Sequence, residues 1–199
     1  MRPVNDYRAL AGRVRDHLGQ SHRYAHVIRV ARCAEVLAME HGLDARKARL
    51  AGLLHDLARL YPGPRLLAEC EARRLPVGAF EREHPIVLHA PLGAALASET
   101  FAVRDPEVLS AIAKHTVGAA EMSPLDCALY LADALEPGRE YDERAELWAL
   151  ARRDLHGAMR AVIANSLRYL ERKKIPVAPQ TLAAAATFKV DRGEVPSLT

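Results

Sequence analysis

The chain is poor in aromatic residues, at 5% of its 199 positions, with three phenylalanines and one tryptophan. Runs of β-branched residues are scarce as well, so a strand-rich sheet is not expected. Three cysteines, Cys33, Cys70 and Cys127, stand far apart without a C-x-x-C pair. That spacing speaks against a disulfide framework or a thiolate zinc site and fits a reducing compartment. No apolar run approaches membrane-spanning length, and the start MRPVNDYRAL has no hydrophobic signal region, so a cytoplasmic protein with no membrane partner is expected. The formal charge is only +3, with arginines spread along the chain rather than gathered in a block. No nucleic-acid polymer is therefore expected as a partner, although a mild positive bias suits a small polyphosphate. A P-loop, a Rossmann glycine pattern, a Ser, Cys or Lys nucleophile motif and internal repeats are all missing.

What the chain does have is Ala and Leu at helical spacing, which predicts an all-α, single-domain helical bundle over 1–189 with a metal site in its core. The metal-site core spans 22–141, scaffold helices fill 142–189, and 190–199 reads as a flexible tail. Helices are predicted at 4–18, at 22–41 with Ser21 as cap, and from the Asp44 cap to about Arg59, where Tyr61-Pro62-Gly63-Pro64 intervenes. Further helices follow at 64–74, at 91–101 with Pro91 in the first helical position, from Asp105-Pro106 to His115, and at 124–135 after Ser123. Segments 142–152, 154–173 and 180–189 complete the set.

Chemistry enters through polar residues that interrupt apolar faces. In LAGLLHDLARL, residues 50–60, an adjacent His55–Asp56 pair closes a greasy run in which nothing else compensates its desolvation. A buried histidine bonded to its neighbour is one reading of the pair, and half of a divalent-metal site is the other. His26 shares a stripe with Val30, Cys33 and Leu37, and His115 ends a stripe of Val108, Ala111 and Ile112. His89 stands at a helix start and is preferred over His84, which lies in a more charged loop. Asp133 sits in CALYLADAL with no basic residue three or four positions away, so it calls for a cation, a capping role or a distant arginine. Arg139 follows in the break Glu136-Pro137-Gly138-Arg139, either as a phosphate contact or as a solvated loop residue. Together His26, His55, Asp56, His89, His115 and Asp133 could hold two divalent cations, a donor set that accepts Fe, Mn, Co, Ni or Zn. Such a pair can activate water and hold phosphoryl oxygens during in-line attack on phosphorus.

The stretches RYAHVIRVA (23–31), AGLLHDLAR (51–59), HAPLGA (89–94), KHTVGAAEMSPLD (114–126) and LADALEPGREY (131–141) resemble the HD-domain metal-dependent phosphohydrolases. More closely, they resemble the bacterial YqeK-like family of symmetrical bis(5'-nucleosyl)-tetraphosphatases. The resemblance implies an α-helical fold, a di-iron centre, and cleavage of diadenosine tetraphosphate into two ADP by a metal-bound hydroxide. It also implies that His26, His55, Asp56 and Asp133 hold one metal, and that His89, His115 and the shared Asp56 hold the other. Arg23, Thr116, Gly118 and Arg139 then face the substrate, while Asp56, Arg59 and Arg139 are the catalytic set. Arg59 stands where this family usually has Lys, and Ala185-Ala186 where an Arg-Asn pair is usual, so no substrate contact is carried over from the last helix. The partner expected is a nucleotide, and a homodimer is the assembly to test. Two alternatives remain: an HD nucleotidase or phosphodiesterase acting on another nucleotide, and a non-catalytic metal-stabilised module that binds a nucleotide or a protein.

Overall fold

A computed structural model of the protein describes residues 7–190. Its elements are α1 (Tyr7–Leu18), α2 (Ser21–Glu40), α3 (Ala45–Leu54), α4 (Gly63–Ala72), α5 (Ala79–Glu83), a 3-10 turn (Pro85–Leu88), α6 (His89–Phe101), α7 (Pro106–Lys114), α8 (Pro124–Leu135), α9 (Arg144–Ala151), α10 (Leu155–Arg172) and α11 (Pro179–Thr187). Every regular element among the described residues is helical, as the Ala- and Leu-rich periodicity predicts. The expected tail lies outside the described residues apart from Val190, whose N–H bonds to the Ala185 carbonyl.

Local chemistry explains most helix boundaries. Asp44 accepts hydrogen bonds from the Arg46 and Lys47 amides at the start of α3, and Asp105 does the same for Glu107 and Val108 at α7. Ser123 and Asp126 form a reciprocal capping box at the start of α8. The buried Asp126 carboxylate also accepts from Lys114 Nζ and Ser110 Oγ, tying α7 to α8 across the turn that carries His115.

Several boundaries differ from the sequence expectation, most by a residue or two, and three bear on the centre of the bundle. Ser21 is the first residue of α2, whereas Gln20 occupies the cap position without a side-chain hydrogen bond. The helix α6 begins at His89 rather than Pro91, because the 3-10 turn runs straight into it. Most consequentially, α3 ends at Leu54 instead of Arg59, and residues 55–60 continue as tight turns with Arg59 N–H on Asp56 O and Tyr61 N–H on Ala58 O. Turns of this kind keep Leu57 and Ala58 buried with nearly helical spacing, so the apolar pattern does not reveal them. His17 of α1 clasps the segment through Nε2 to the Leu57 carbonyl, at 2.9 Å.

The core is built on the α2–α3 pair. Ala31, Ala34 and Ala38 of α2 and Ala48 and Ala51 of α3 are fully buried, and these small side chains let the two backbones approach closely. A Cβ on Gly52 would lie 2.6 Å from Ala31 Cα, while His26 and His55 have ring centroids 5.2 Å apart. The start of α2 therefore faces the end of α3, which makes the pair antiparallel. A Cβ on Gly93 would likewise come within 3.0 Å of the His55 carbonyl, so α6 presses on the same point. Gly52→Ala is expected to force α2 and α3 apart, costing about 1–3 kcal/mol and lowering the thermal midpoint by several degrees. Thermal unfolding of the variant followed by circular dichroism checks this.

Candidate metal centre

Four imidazoles and two carboxylates converge at the middle of the bundle. His26 comes from α2, His55 and Asp56 from the end of α3, His89 from the start of α6, His115 from the end of α7, and Asp133 from α8. All four histidines and Asp56 are buried, and Asp133 is partly so. His84, the competing candidate, lies outside this cluster and packs its ring on Phe80.

Each ring is held through Nδ1. His55 Nδ1 is 2.8 Å from the Gly52 carbonyl, His89 Nδ1 is 2.5 Å from that of Ile86, and His115 Nδ1 is 2.7 Å from that of Ile112. A carbonyl oxygen only accepts, so Nδ1 carries the proton and a neutral ring is left with a bare Nε2. His26 Nδ1 makes the equivalent contact to the carboxylate of Glu136, at 3.0 Å. The Nε2 atoms of His26 and His55 are buried without a hydrogen-bond partner.

The bare nitrogens divide into two groups around Asp56. Its Oδ2 lies 3.7 Å from His26 Nε2 and 3.6 Å from His55 Nε2, and Asp133 Oδ1 stands 3.1 Å and 3.9 Å from the same two nitrogens. Its Oδ1 lies 3.4 Å from His89 Nε2 and 3.9 Å from His115 Nε2, which are themselves 3.2 Å apart. Lone pairs that face one another at such distances repel unless a cation lies among them, so the donor set fits divalent-metal binding. The chain ends of α3 and α7 add their partial negative charge, which also favours a cation there.

Burial drives the His89 and His115 imidazoles down to about 4, and it lowers His55 as well. For His89 the neighbouring His115 and Arg59 add to the effect. The Asp56 carboxyl is pushed up by burial, but His55, His115 and His89 outweigh that and hold it below its usual value. In Asp133 the same opposition is won by His26, His55 and Arg139. His55, His89 and His115 are thus held toward the neutral imidazole, the form that ligation needs.

Glu136 is the residue that sequence reasoning missed, having appeared only as part of a chain break. It is 1% exposed, and besides His26 it accepts from Arg29 Nε and Nη2 and from the Gly138 amide. Burial opposes its charge, but Arg29, His26 and the Gly138 N–H bring it down to about 2. A signal was available in the sequence. A carboxylate at the C-terminal end of α8 opposes the helix dipole and needs a cation, and Arg29 lies one helical turn after His26.

A cavity of about 290 Å³ opens on this cluster, lined by Arg23, Asp56, Arg59, Ile86, His89, Thr116, Asp133 and Arg139. Arg23 donates to Asp56 Oδ2 at 2.8 Å, and Arg139 donates to Asp133 Oδ1 at 2.5 Å and to the Asp133 carbonyl at 2.9 Å. Arg59 makes no side-chain hydrogen bond or ion pair among the described residues. Thr116 Oγ1 is 3.1 Å from both His89 Nε2 and His115 Nε2. Gly118, expected on the substrate side, does not line this cavity. With φ of +71° it turns the chain back after α7, close under Ala184.

The fold and site define a helical protein with a buried histidine and aspartate cluster of the metal-binding type. A family model described as HD domain matches residues 23–138, more than half of the chain. The symmetrical bis(5'-nucleosyl)-tetraphosphatase of Bacillus subtilis is 34% identical over 160 residues, covering 80% of this chain and 86% of the relative. The protein of the same name from Halalkalibacterium halodurans is 36% identical over 172 residues, covering 85% and 90%. A crystal structure of a predicted HD superfamily hydrolase involved in NAD metabolism from Clostridium acetobutylicum matches with a TM-score of 0.88 and 32% identity, over 92% of this chain and 97% of that one. The chain belongs to the HD-domain family, in the branch of the symmetrical bis(5'-nucleosyl)-tetraphosphatases.

Two outcomes follow from the electrostatics of the site. Between about pH 6.5 and 4 the unfolded chain binds protons that the folded, metal-free chain does not, so stability is greatest above 6.5 and falls as the pH drops through that window. His89 and His115 together should remove on the order of 3 kcal/mol between pH 6.5 and 5, read from urea midpoints of chelator-stripped protein. Glu136→Gln removes the charge that polarises His26 and neutralises Arg29. Chelator competition should show metal affinity lowered by about 10–100-fold with little change in helicity.

Proposed function

We propose that the chain hydrolyses diadenosine tetraphosphate at its central anhydride, giving two molecules of ADP, and that it does so with two divalent cations, iron foremost. The observation that carries this reading is the division of Asp56. Its Oδ2 faces the Nε2 atoms of His26 and His55 and its Oδ1 those of His89 and His115, beneath a cavity lined by three arginines. The relatives named for this activity, which align over four-fifths or more of the chain, support the choice of substrate.

When bound, the cations supply Lewis acidity, acidifying water and neutralising phosphoryl oxygens. The remaining work falls to the chain itself. Asp56 and Asp133 are held low, with Arg23 paired to the one and Arg139 to the other, so each can orient its ligand group without taking a proton at neutral pH. Arg23 and Arg139 are fixed by those same carboxylates in the cavity wall. Arg59, free of protein partners, has its whole guanidinium fork for a phosphate, including the one that leaves on ADP when the bridging P–O bond breaks. Thr116 brings a hydroxyl to the same wall.

Cys33, Cys70 and Cys127 are free and buried, which supports placing the protein in a reducing compartment such as the cytoplasm. No described helix is long and apolar enough to cross a membrane.

Protein purified without added metal, assayed for metal content and for products on diadenosine tetraphosphate, tests the proposal. Close to two metals per chain and ADP as the only nucleotide product are expected. Asp56→Ala should lose most of the metal and roughly 100-fold or more in rate, whereas His84→Ala should change neither. AMP plus ATP would assign the site to a different nucleotide hydrolase. One metal or none, with no turnover after iron or manganese is restored, would leave a binding module.

A further inference from the structure

Beside the metal cavity lies a larger cleft of about 470 Å³, between α8, α10 and the start of α11. Thr116 and Arg139 belong to the walls of both spaces, so the two adjoin. At this volume the cleft falls in the usual range for small-molecule sites, while the metal cavity sits at the bottom of that range.

The two spaces differ in chemistry. The metal cavity carries Arg23, Arg59 and Arg139, which suit a phosphate chain. The larger cleft presents the rings of Tyr130 and Tyr169, the aliphatic Val162, and two carboxylates, Glu140 and Glu143, with Arg172 as its other cation. Carboxylates repel phosphate but accept hydrogen bonds from sugar hydroxyls, and rings and aliphatic groups pack on a base. Asn165 stands among them, half-buried on α10, and its side-chain amide has no hydrogen bond among the described residues. Its neighbour Ser166, by contrast, is bonded to Tyr130. An amide offers one donor and one acceptor side by side, the pattern that matches the N6 amino group and adjacent ring nitrogen of adenine.

We infer that this cleft is the subsite for one nucleoside of the dinucleotide and that Asn165 reads its base as adenine. The assignment rests on the reading of the metal cavity as the phosphate site. Central cleavage breaks the bridge between the two middle phosphates, so each nucleoside projects from that point by the same number of phosphates. The cleft behind Thr116 and Arg139 receives one of the two.

The test is calorimetric titration of metal-loaded wild type, Asn165→Ala and Asn165→Asp with ADP, GDP and inorganic pyrophosphate, together with hydrolysis of diadenosine tetraphosphate by the wild type. Asn165→Ala should bind ADP about ten-fold more weakly while binding pyrophosphate as before. Asn165→Asp loses the donor and gains a second acceptor, which suits the N1–H and N2–H of guanine. Its preference for GDP over ADP should therefore rise about ten-fold relative to wild type. Unchanged ADP affinity in both variants, or a parallel fall for ADP and pyrophosphate, would overturn the subsite. A base switch in a protein that does not cleave the dinucleotide would uphold the subsite and overturn the proposed reaction. Cleavage without a switch would do the reverse.

Discussion

Everything in this molecule depends on four imidazole N–H groups being committed to oxygens that can only accept. Three of those oxygens are backbone carbonyls three residues upstream of the histidine, and the fourth is the Glu136 carboxylate. Each commitment fixes a tautomer and a ring plane together, so four lone pairs are aimed before any cation arrives. The cost is a cluster of buried acceptors that repel one another, and the surrounding core has to contain that repulsion.

Containment comes from close backbone packing. Alanines on α2 and α3 and the absence of a side chain at Gly52 bring two helices near enough for His26 and His55 to share Asp56. Gly93 lets α6 rest against the His55 carbonyl, and Asp126 with Lys114 braces the turn beneath His115. The polar centre is thus held where backbones pack closely, while Arg23, Arg59 and Arg139 line its open side. A low aromatic content is consistent with this arrangement, because large rings at the α2–α3 seam would hold the helices too far apart.

The fold and the residues that cluster at its centre were legible in the sequence for one physical reason. Helices announce themselves by periodic burial, and each ligand is a polar residue interrupting such a period. Asp44, Asp105 and Ser123 read as caps because their side chains bond within three residues, a local event. The end of α3 at Leu54 was not legible, since the turns that follow preserve the apolar spacing. Glu136 was hidden by its neighbours Pro137 and Gly138, which mark a chain break, and its partners His26 and Arg29 lie more than a hundred residues away. The segment 154–173 reads as scaffold, yet Ser166 and Leu170 line the larger cleft, and Thr181 reaches it from α11, the last helix, for which the family resemblance carried over no substrate contact. Such placements come from how α10 and α11 lean on α8, and no local pattern encodes that.

Two of the candidate ligands, His55 and His115, occupy the positions where α3 and α7 end, and each bonds a carbonyl of the last turn of its own helix. Such carbonyls otherwise lack an intrahelical partner, so the metal-facing rings also serve as the stoppers of their helices. Ligand aim and helix length are then a single variable. One residue inserted within α3 or α7 would swing its histidine by about 100° around the helix axis, although the composition of the core would hardly change. An insertion of the same size between α4 and α5 would leave both stoppers in place. The architecture is therefore tolerant of changed letters in its helices and intolerant of changed counts.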